Sequence, residues 1–396
     1  MNVMSSRVLP NWILSLSYQA MYSIPSVVVL FLFLLTVLPT YDVQANNTPM
    51  VVNSSQAKSV DSFIKKHSDT RIIIVGETHD SVSDHMLQLN LLKAMHKQGG
   101  QVVVGVEWFQ RPFQNVLDSY INDEIDENNL LAKSEYYTRW GFDFRLYRPI
   151  LSYAKKHKIP VIALNARREL TEAIMRNGIT GIPQMLKKDL PASYDMNNER
   201  YNSRLLSIIG DPDNDKTHED AQTRNYMEVQ MIWDEYMSET ISDYIKNHSN
   251  SRMIVFTGRG HINADAIPGR IHRRIGIQPV TIVNYQPASS FNDADYLVLS
   301  EDEQLPPYGK MGVKVSVRED GVYVDELLIE GLVSIQKNDR ILAIGDRPVI
   351  SYADLKLSLI DKYPGDKVSL LLLRSSDNAE TTIRTEITLV DDYTTK

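Results

Sequence analysis

The chain contains no cysteine in its 396 residues. This absence excludes disulfide bonds, thiolate ligands for a metal or haem iron, and a cysteine nucleophile. It also excludes a lipid anchor attached through cysteine. Any domain of this protein is therefore held together by its own apolar core.

The sequence also lacks a basic stripe. Asp and Glu outnumber Lys and Arg by 50 to 42, charges of both signs are interspersed, and the formal net charge is −8. No nucleic acid is therefore expected as a partner. A phosphate-binding glycine loop and a Gly-x-Ser-x-Gly motif are missing too, which argues against a P-loop enzyme and a serine hydrolase.

Long apolar runs are rare, and the one near the N-terminus covers residues 24–39. It is shorter than the roughly twenty residues of a spanning helix and suits a signal-peptide core, with Val43-Gln44-Ala45 as a cleavage pattern. We predict that residues 1–45 are a signal peptide and that the protein is exported to a bacterial periplasm or cell envelope. Because Arg7 is the only basic residue before the run, an uncleaved N-terminal membrane anchor is the alternative.

Residues 57–299, which follow a polar linker at 46–56, alternate short β-branched runs with longer helical patterns. The runs are nearly continuously apolar, which is typical of strands buried on both faces of a parallel sheet. They lie at 71–75, 101–107, 159–164, 252–258 and 278–284. This pattern predicts an α/β fold with a doubly wound, mainly parallel sheet.

A helical insert is predicted at about residues 166–250, because no strand pattern appears there. Apolar residues from Tyr226 to Tyr244 recur at helical spacing, which favours core packing. A composition shift at Ser300–Gly309 begins a small, mostly β domain at 300–396, with four short strand patterns and one helix near "SYADLKLSLID".

Four titratable side chains follow or close strands of the predicted sheet. Ligands of open parallel sheets bind beyond the carboxyl ends of the strands, so these residues predict a site: Glu77, His79, Glu107 and His261. They could bind a divalent metal, act as a general base with its orienting partner, or serve haem iron. Asp80, Asp84 and His85 begin the next helix and are interpreted as capping charges.

Several motifs in this part of the chain occur in a known order. "GETHD", "VGVEWFQRPFQNVLDSYI", "IALNARREL", "MIWDEYMSE" and "GRGHI", between Arg71 and Tyr285, together resemble the ChaN-like domain of the Tiki/ChaN superfamily. The resemblance implies haem binding and iron acquisition in the bacterial envelope. Other branches of the superfamily are metal-dependent peptidases, or esterases that use a histidine and glutamates.

Carried over by position, the motif residues of the superfamily fall on Glu77, His79, Glu107 and His261. Arg259, where the family usually has a small or uncharged residue, could pair with a haem propionate or a substrate carboxylate. Tyr136 and Tyr137 are candidate haem ligands, because tyrosinate suits ferric haem. The resemblance also implies a homodimer that encloses a flat apolar ligand.

The C-terminal domain resembles a PDZ domain of the kind attached to envelope proteases. "GVKVSV", "NDRILAIGDRPVISYADLKLSLID" and "PGDKVSLLLLR" stand in the expected order. Such domains add an extended C-terminal peptide as a strand and hold its carboxylate in a loop. That loop is expected near Tyr308–Val313.

Two functions are consistent with these motifs. The first is an exported protein that binds haem or another iron compound and uses its PDZ domain to bind the C-terminal peptide of a partner. The alternative is a metal-dependent hydrolase or peptidase. In it His79 and His261 would bind Mn or Zn or act as base, while Glu77 and Glu107 orient or activate water.

Overall fold

A computed structural model describes residues 58–209, 221–286, 294–376 and 379–391. The chain divides into two compact units, Met1–Ser68 and Asp69–Lys396. The described part of the first contains helix α1, Val60–Lys66, whose N-terminus is capped by the Ser59 side chain. The predicted signal peptide or anchor and the linker lie outside the described residues. Within those residues, no helix has the length and apolar character needed to cross a membrane.

In the part of the chain that the structure describes, six parallel strands form the sheet of the α/β domain. They are β1 Ile72–Glu77, β2 Gln101–Gln110, β3 Val161–Asn165, β4 Ser251–Gly258, β5 Val280–Asn284 and β6 Tyr296–Val298, in the order β3-β2-β4-β1-β5-β6. The central strand β1 is buried along its whole length, as continuously apolar strands require. The predicted α/β class is confirmed. Strand β6 was not predicted, because it is only three residues long and those residues are partly buried.

Helices connect the strands and cover the sheet. They are α2 Val82–Lys97, α3 Gln114–Ile121, α4 Glu127–Lys133, α5 Tyr136–Arg139, α6 Phe144–His157, α7 Arg168–Asn177, α8 Glu199–Ile209, α9 Ala221–Asn247 and α10 Ile267–Ile275. Between β3 and β4 the described residues form helices and no strand. Helix α9 packs Met237, Ile241 and Ile245 against the sheet, so the predicted stripe is part of the core.

An antiparallel sheet forms the C-terminal domain. Its elements are β7 Val313–Arg318, β8 Gly321–Leu327, β9 Arg340–Ile344, β10 Arg347–Pro348, helix α11 Tyr352–Leu359, β11 Lys367–Ser376 and β12 Ala379–Thr388. The order is β12-β11-β9-β8-β7, and β10 pairs with β9. Ser351 and Asp354 form a capping box that starts α11. Strand β12 was not predicted, because its face is polar and mostly exposed.

Candidate functional site

The parallel order of the sheet brings the predicted site residues to one edge. Strand β1 lies beside β4, and β4 lies beside β2, so the carboxyl ends of these three strands are neighbours. Glu77 ends β1, Glu107 lies in β2, and His261 lies in the short 3-10 turn that follows β4. Their exposed fractions are 1%, 6% and 9% respectively. The site is therefore largely shielded from water.

Glu77 orients His79. The imidazole Nδ1 of His79 lies 2.9 Å from Oε1 of Glu77. An ionised carboxylate only accepts hydrogen bonds, so Nδ1 carries the proton and Nε2 is directed away from this carboxylate. Glu77 also accepts hydrogen bonds from Gln88 Nε2 and from Trp108 Nε1 at 3.2 Å. These buried partners fix the carboxylate and, through it, the histidine.

His261 is oriented by a residue that sequence reasoning missed. Its Nδ1 lies 2.6 Å from Oδ1 of Asp234, which α9 contributes and which is fully buried. Its Nε2 lies 3.5 Å from Oε1 of Glu107. The available signal was that Asp234 directly follows Trp233, one of the apolar residues that recur at helical spacing. The site thus contains two carboxylate–histidine pairs, with Glu107 beside the second.

A glycine leaves room for His79. Glu107 Oε2 accepts hydrogen bonds from Thr257 Oγ1 at 2.8 Å and from the Gly258 amide at 2.7 Å. A Cβ atom on Gly258 would lie 2.8 Å from Cε1 of His79 and 3.1 Å from its Nε2. Real Cβ atoms do not approach so closely. Gly258, the first glycine of "TGRGHI", is therefore needed for the position of this imidazole.

Neighbouring charges and hydrogen bonds shift the pKa values of both pairs in the directions that favour ion pairing, against the effect of burial. Burial by itself raises the pKa of Glu77, but the charges and hydrogen bonds of His85, His79 and Gln88 outweigh it and hold the pKa below its usual value. Burial lowers the pKa of His79, yet the hydrogen bond to Glu77 and the nearby carboxylates raise it overall.

The second pair behaves in the same way. Burial raises the pKa of Asp234, but the charge and hydrogen bond of His261 bring it below the usual value. Burial lowers the pKa of His261, and the carboxylates of Glu107 and Asp234 raise it overall. Each pair is therefore most stable with the carboxylate ionised and the histidine protonated.

These shifts predict how stability depends on pH. The lowered carboxylate pKa values contribute stability above about pH 4.5, which is lost as pH falls through the folded values. The raised histidine pKa values contribute stability that is full below about pH 6.5 and is lost as pH rises through the folded values. We expect thermal unfolding midpoints to be highest between about pH 4.5 and 6.5. Midpoints that stay constant from pH 6 to 9 would contradict this assignment.

Asp84 and His85, which the sequence analysis interpreted as capping charges, lie against the site. The N-cap of α2 is Ser81, whose side chain accepts from the Asp84 amide. The Asp84 carboxylate accepts from the Thr78 amide and from Asn284 Nδ2, both at 2.7 Å. It thereby joins the loop after β1 to the end of β5. Burial raises the pKa of Asp84 despite these hydrogen bonds.

The backbone of His79 is also held. Its carbonyl lies 3.0 Å from the hydroxyl of Tyr147, which donates to it, and 3.1 Å from Nε2 of His85. The rings of Trp140 and Phe142 lie 4.8 and 5.0 Å from the His79 imidazole. Residues 140–147 therefore form an aromatic wall on one side of His79, which sequence reasoning did not identify.

The remaining predicted site residues are Arg259, Tyr136 and Tyr137. Arg259 Nη2 donates to the Asn284 carbonyl at 2.8 Å, at the end of β5. Tyr136 is 1% exposed, packs on Phe144 and Tyr137, and has no hydrogen-bond partner for its hydroxyl among the described residues. Haem ligation by either tyrosine, and ligand pairing by Arg259, stay predictions.

The donor atoms of this site suit haem iron better than a metal ion. A histidine with Nδ1 on a carboxylate and Nε2 left as the iron ligand is a common arrangement, so His79 fits haem iron. Tyr136 and Tyr137 fit less well, because burial raises the pKa of both hydroxyls and disfavours tyrosinate. For a metal, the described residues contain no group of three or more His, Asp or Glu side chains arranged to hold an ion.

The C-terminal domain offers a second candidate site, along the edge strand β7. The predicted carboxylate loop, Tyr308–Val313, leads into this strand. Gly312 has a φ of +74°, and a Cβ there would lie 2.5 Å from Cδ1 of Ile329, so only glycine suits this turn. Among the described residues β7 pairs with β8 alone, which leaves its outer edge for an added strand.

Comparisons with known proteins agree with both domains. Residues 63–271 match the family described as haem-binding uptake, Tiki superfamily, ChaN, and residues 309–387 match the PDZ domain. A curated relative, Protein RETICULATA-RELATED 5 of Arabidopsis thaliana, is 22% identical over 274 residues, which cover 63% of this chain and 35% of the relative. The chain therefore spans about a third of that relative's length.

Solved structures with a similar fold include ChaN of Campylobacter jejuni, described with cofacial heme binding. It has a TM-score of 0.50 and 18% identity, over 61% of this chain and 91% of that one. The type III effector HopBA1 has a TM-score of 0.37 and 13% identity, over 62% and 94%. At 18% identity, the likeness to the Campylobacter jejuni structure concerns the fold.

The described residues thus contain an α/β domain with a carboxylate–histidine site on its parallel sheet, and a PDZ domain. The α/β domain belongs to the ChaN family of haem-binding uptake proteins in the Tiki superfamily. The predicted resemblances to this family and to the PDZ domain are confirmed.

Proposed function

We propose that this protein is exported to the cell envelope and binds haem or a related iron compound at the strand-end site, for haem or iron acquisition. Its PDZ domain binds the C-terminal peptide of a partner protein. The observation that carries the proposal is the pairing of His79 with Glu77 at 2.9 Å, beside the aromatic rings of Trp140 and Phe142.

Each part of this site has a role in haem binding. Glu77 holds His79 in the tautomer that presents Nε2, and it raises the basicity of the ring. Trp140 and Phe142 offer apolar surface beside this imidazole. Bound haem would supply the iron chemistry. Arg259 is the candidate partner of a propionate, because a guanidinium binds a carboxylate through two hydrogen bonds.

The test is a hemin titration followed through the Soret band. We expect saturable binding by the purified chain and binding at least about 100-fold weaker in His79→Ala, because loss of even a supporting partner costs 10- to 100-fold. The control is His157→Ala, which removes an exposed histidine of the same domain. Equal hemin affinity in His79→Ala and His157→Ala would refute His79 as the ligand.

A second function is favoured by the geometry of His261. Its Nδ1 is bound to Asp234 and its Nε2 lies 3.5 Å from Glu107. Two oriented histidines at one buried site can divide acid and base roles, one taking a proton from water and the other protonating a leaving group. Hydrolysis by Glu77, His79, Glu107 and His261 is therefore the alternative proposal, with Mn or Zn as optional cofactors.

The two proposals differ in their dependence on His261. Hydrolysis of peptide or ester substrates should be lost in both His79→Ala and His261→Ala. Haem binding through His79 should survive His261→Ala with a smaller change. Assays with and without Mn or Zn show whether added metal contributes.

A further inference from the structure

The PDZ domain contains a groove of about 130 Å³ between β7 and α11. Met311, Val313, Leu355 and Leu359 give it an apolar floor. Strand β7 is at the edge of its sheet, so an extended chain can pair with it while its last side chain enters the groove.

The α/β domain supplies the other wall of this groove. Tyr137 from α5, Asp143 and Arg145 line it together with the residues of the PDZ domain. Two contacts hold this wall in place. Arg145 Nη1 donates to the Pro306 carbonyl at 2.9 Å, and Arg148 Nη1 donates to Asp361 Oδ1 at 2.7 Å.

The charges around the groove suit a carboxylate. Arg145, Lys310 and Lys356 line it, and among the described residues Asp143 is the one acid that does so. Asp143 pairs with Arg145 at 2.7 Å. Burial lowers the pKa of Lys356 although Asp143 opposes the shift, so an anionic ligand would stabilise this cation. A free C-terminus with an apolar last residue suits both the apolar floor of the groove and its positively charged rim.

The segment that forms this wall also contacts His79 of the proposed haem site. Between Tyr137 and Arg145 lie Trp140 and Phe142, whose rings lie within 5.0 Å of the His79 ring centroid. Asp143 caps α6 by accepting from the Arg145 amide at 3.0 Å. One short segment, residues 136–147, therefore forms a wall of the peptide groove on one side and a wall of the His79 site on the other.

We propose that the α/β domain completes the peptide site of the PDZ domain, and that a C-terminus bound there is coupled to the His79 site through residues 136–147. This inference rests on the proposed binding of a C-terminal peptide. A carboxylate near Arg145 competes with Asp143 for the guanidinium. Because Asp143 also caps α6, this competition shifts the loop that carries Trp140 and Phe142.

The first test uses fluorescein-labelled octapeptides with randomised leading positions, a last residue of Val, Leu or Phe, and a free carboxylate. The full chain should bind this pool and not its C-terminal amide counterpart. Arg145→Ala should weaken binding about tenfold or more, since a charge-assisted hydrogen bond is lost. Arg145→Lys keeps the charge but loses the guanidinium's two parallel hydrogen bonds to a carboxylate, so it should give an intermediate affinity.

Arg176→Ala is the matched control, because Arg176 is an exposed arginine of the same domain, in α7. Equal affinity of Arg145→Ala, Arg145→Lys and Arg176→Ala would show that the PDZ domain binds peptide without the α/β domain, and would overturn the composite site alone. If the wild-type chain binds no member of the pool, the proposed peptide function fails as well.

The second test measures the coupling, first without haem and then with hemin. Peptide should change the tryptophan fluorescence of the chain, and most of that change should disappear in Trp140→Phe. With hemin, the peptide should change hemin affinity by the same factor by which hemin changes peptide affinity. Peptide binding with no Trp140-dependent signal and no effect on hemin affinity would overturn the coupling while leaving both binding functions intact.

Discussion

We expect Glu77→Ala to destabilise the protein by about 3–5 kcal/mol, the usual cost of removing one partner from a buried ion pair. The carboxylate is fully buried, and it accepts hydrogen bonds from His79, Gln88 and Trp108. Its loss leaves these donors without an acceptor and His79 without its counter-charge. The corresponding fall in the unfolding midpoint is roughly 10 °C.

Two further variants separate charge from packing. Glu77→Gln keeps the shape of the side chain and removes the charge, so it should destabilise less than Glu77→Ala and still weaken hemin binding. Glu124→Ala removes an exposed glutamate of the same domain and should change stability by no more than about 0.5 kcal/mol. Equal unfolding temperatures of Glu77→Ala and Glu124→Ala would show that the buried hydrogen bonds of Glu77 do not stabilise the fold.

The second large effect is expected from Gly258→Ala. The added methyl group would lie 2.8 Å from Cε1 of His79, and the backbone of β4 cannot move away because it pairs with both β1 and β2. The imidazole must rotate, which breaks its hydrogen bond to Glu77. We expect hemin affinity or hydrolytic activity to fall at least tenfold, measured by titration or by rate.

A neighbouring glycine provides a close control. A Cβ on Gly260, in the turn after β4, meets no atom within 4 Å, so Gly260→Ala should retain binding. Both variants should unfold cooperatively in a thermal melt. Wild-type binding by Gly258→Ala would mean that the His79 ring does not need the position it has beside this strand.

The same side chains serve either proposed function, because both need a histidine whose orientation is fixed before a ligand arrives. Glu77 and Asp234 provide that orientation from β1 and α9. Preorganisation of this kind lowers the cost of binding iron and, equally, of placing a proton acceptor beside water. Measurements on His261 therefore discriminate between the two functions better than measurements on His79.

Sequence patterns predicted the strands of the parallel sheet because a strand buried on both faces must be apolar throughout. They predicted Glu77, His79, Glu107 and His261 as neighbours because carboxyl ends of parallel strands share one edge. They missed β6, which is only three residues long and partly buried, and β12, whose residues are mostly polar and exposed.

The sequence by itself determined the fold class of each domain and the chemical identity of the four strand-end residues, since both follow from local patterns and strand order. Tertiary structure alone decided which groups from distant segments hold them. Asp234 reaches His261 from a helix 27 positions earlier in the chain, and residues 136–147 come to lie between His79 and the PDZ groove. Such contacts join distant segments through packing, and no local pattern encodes packing between distant segments.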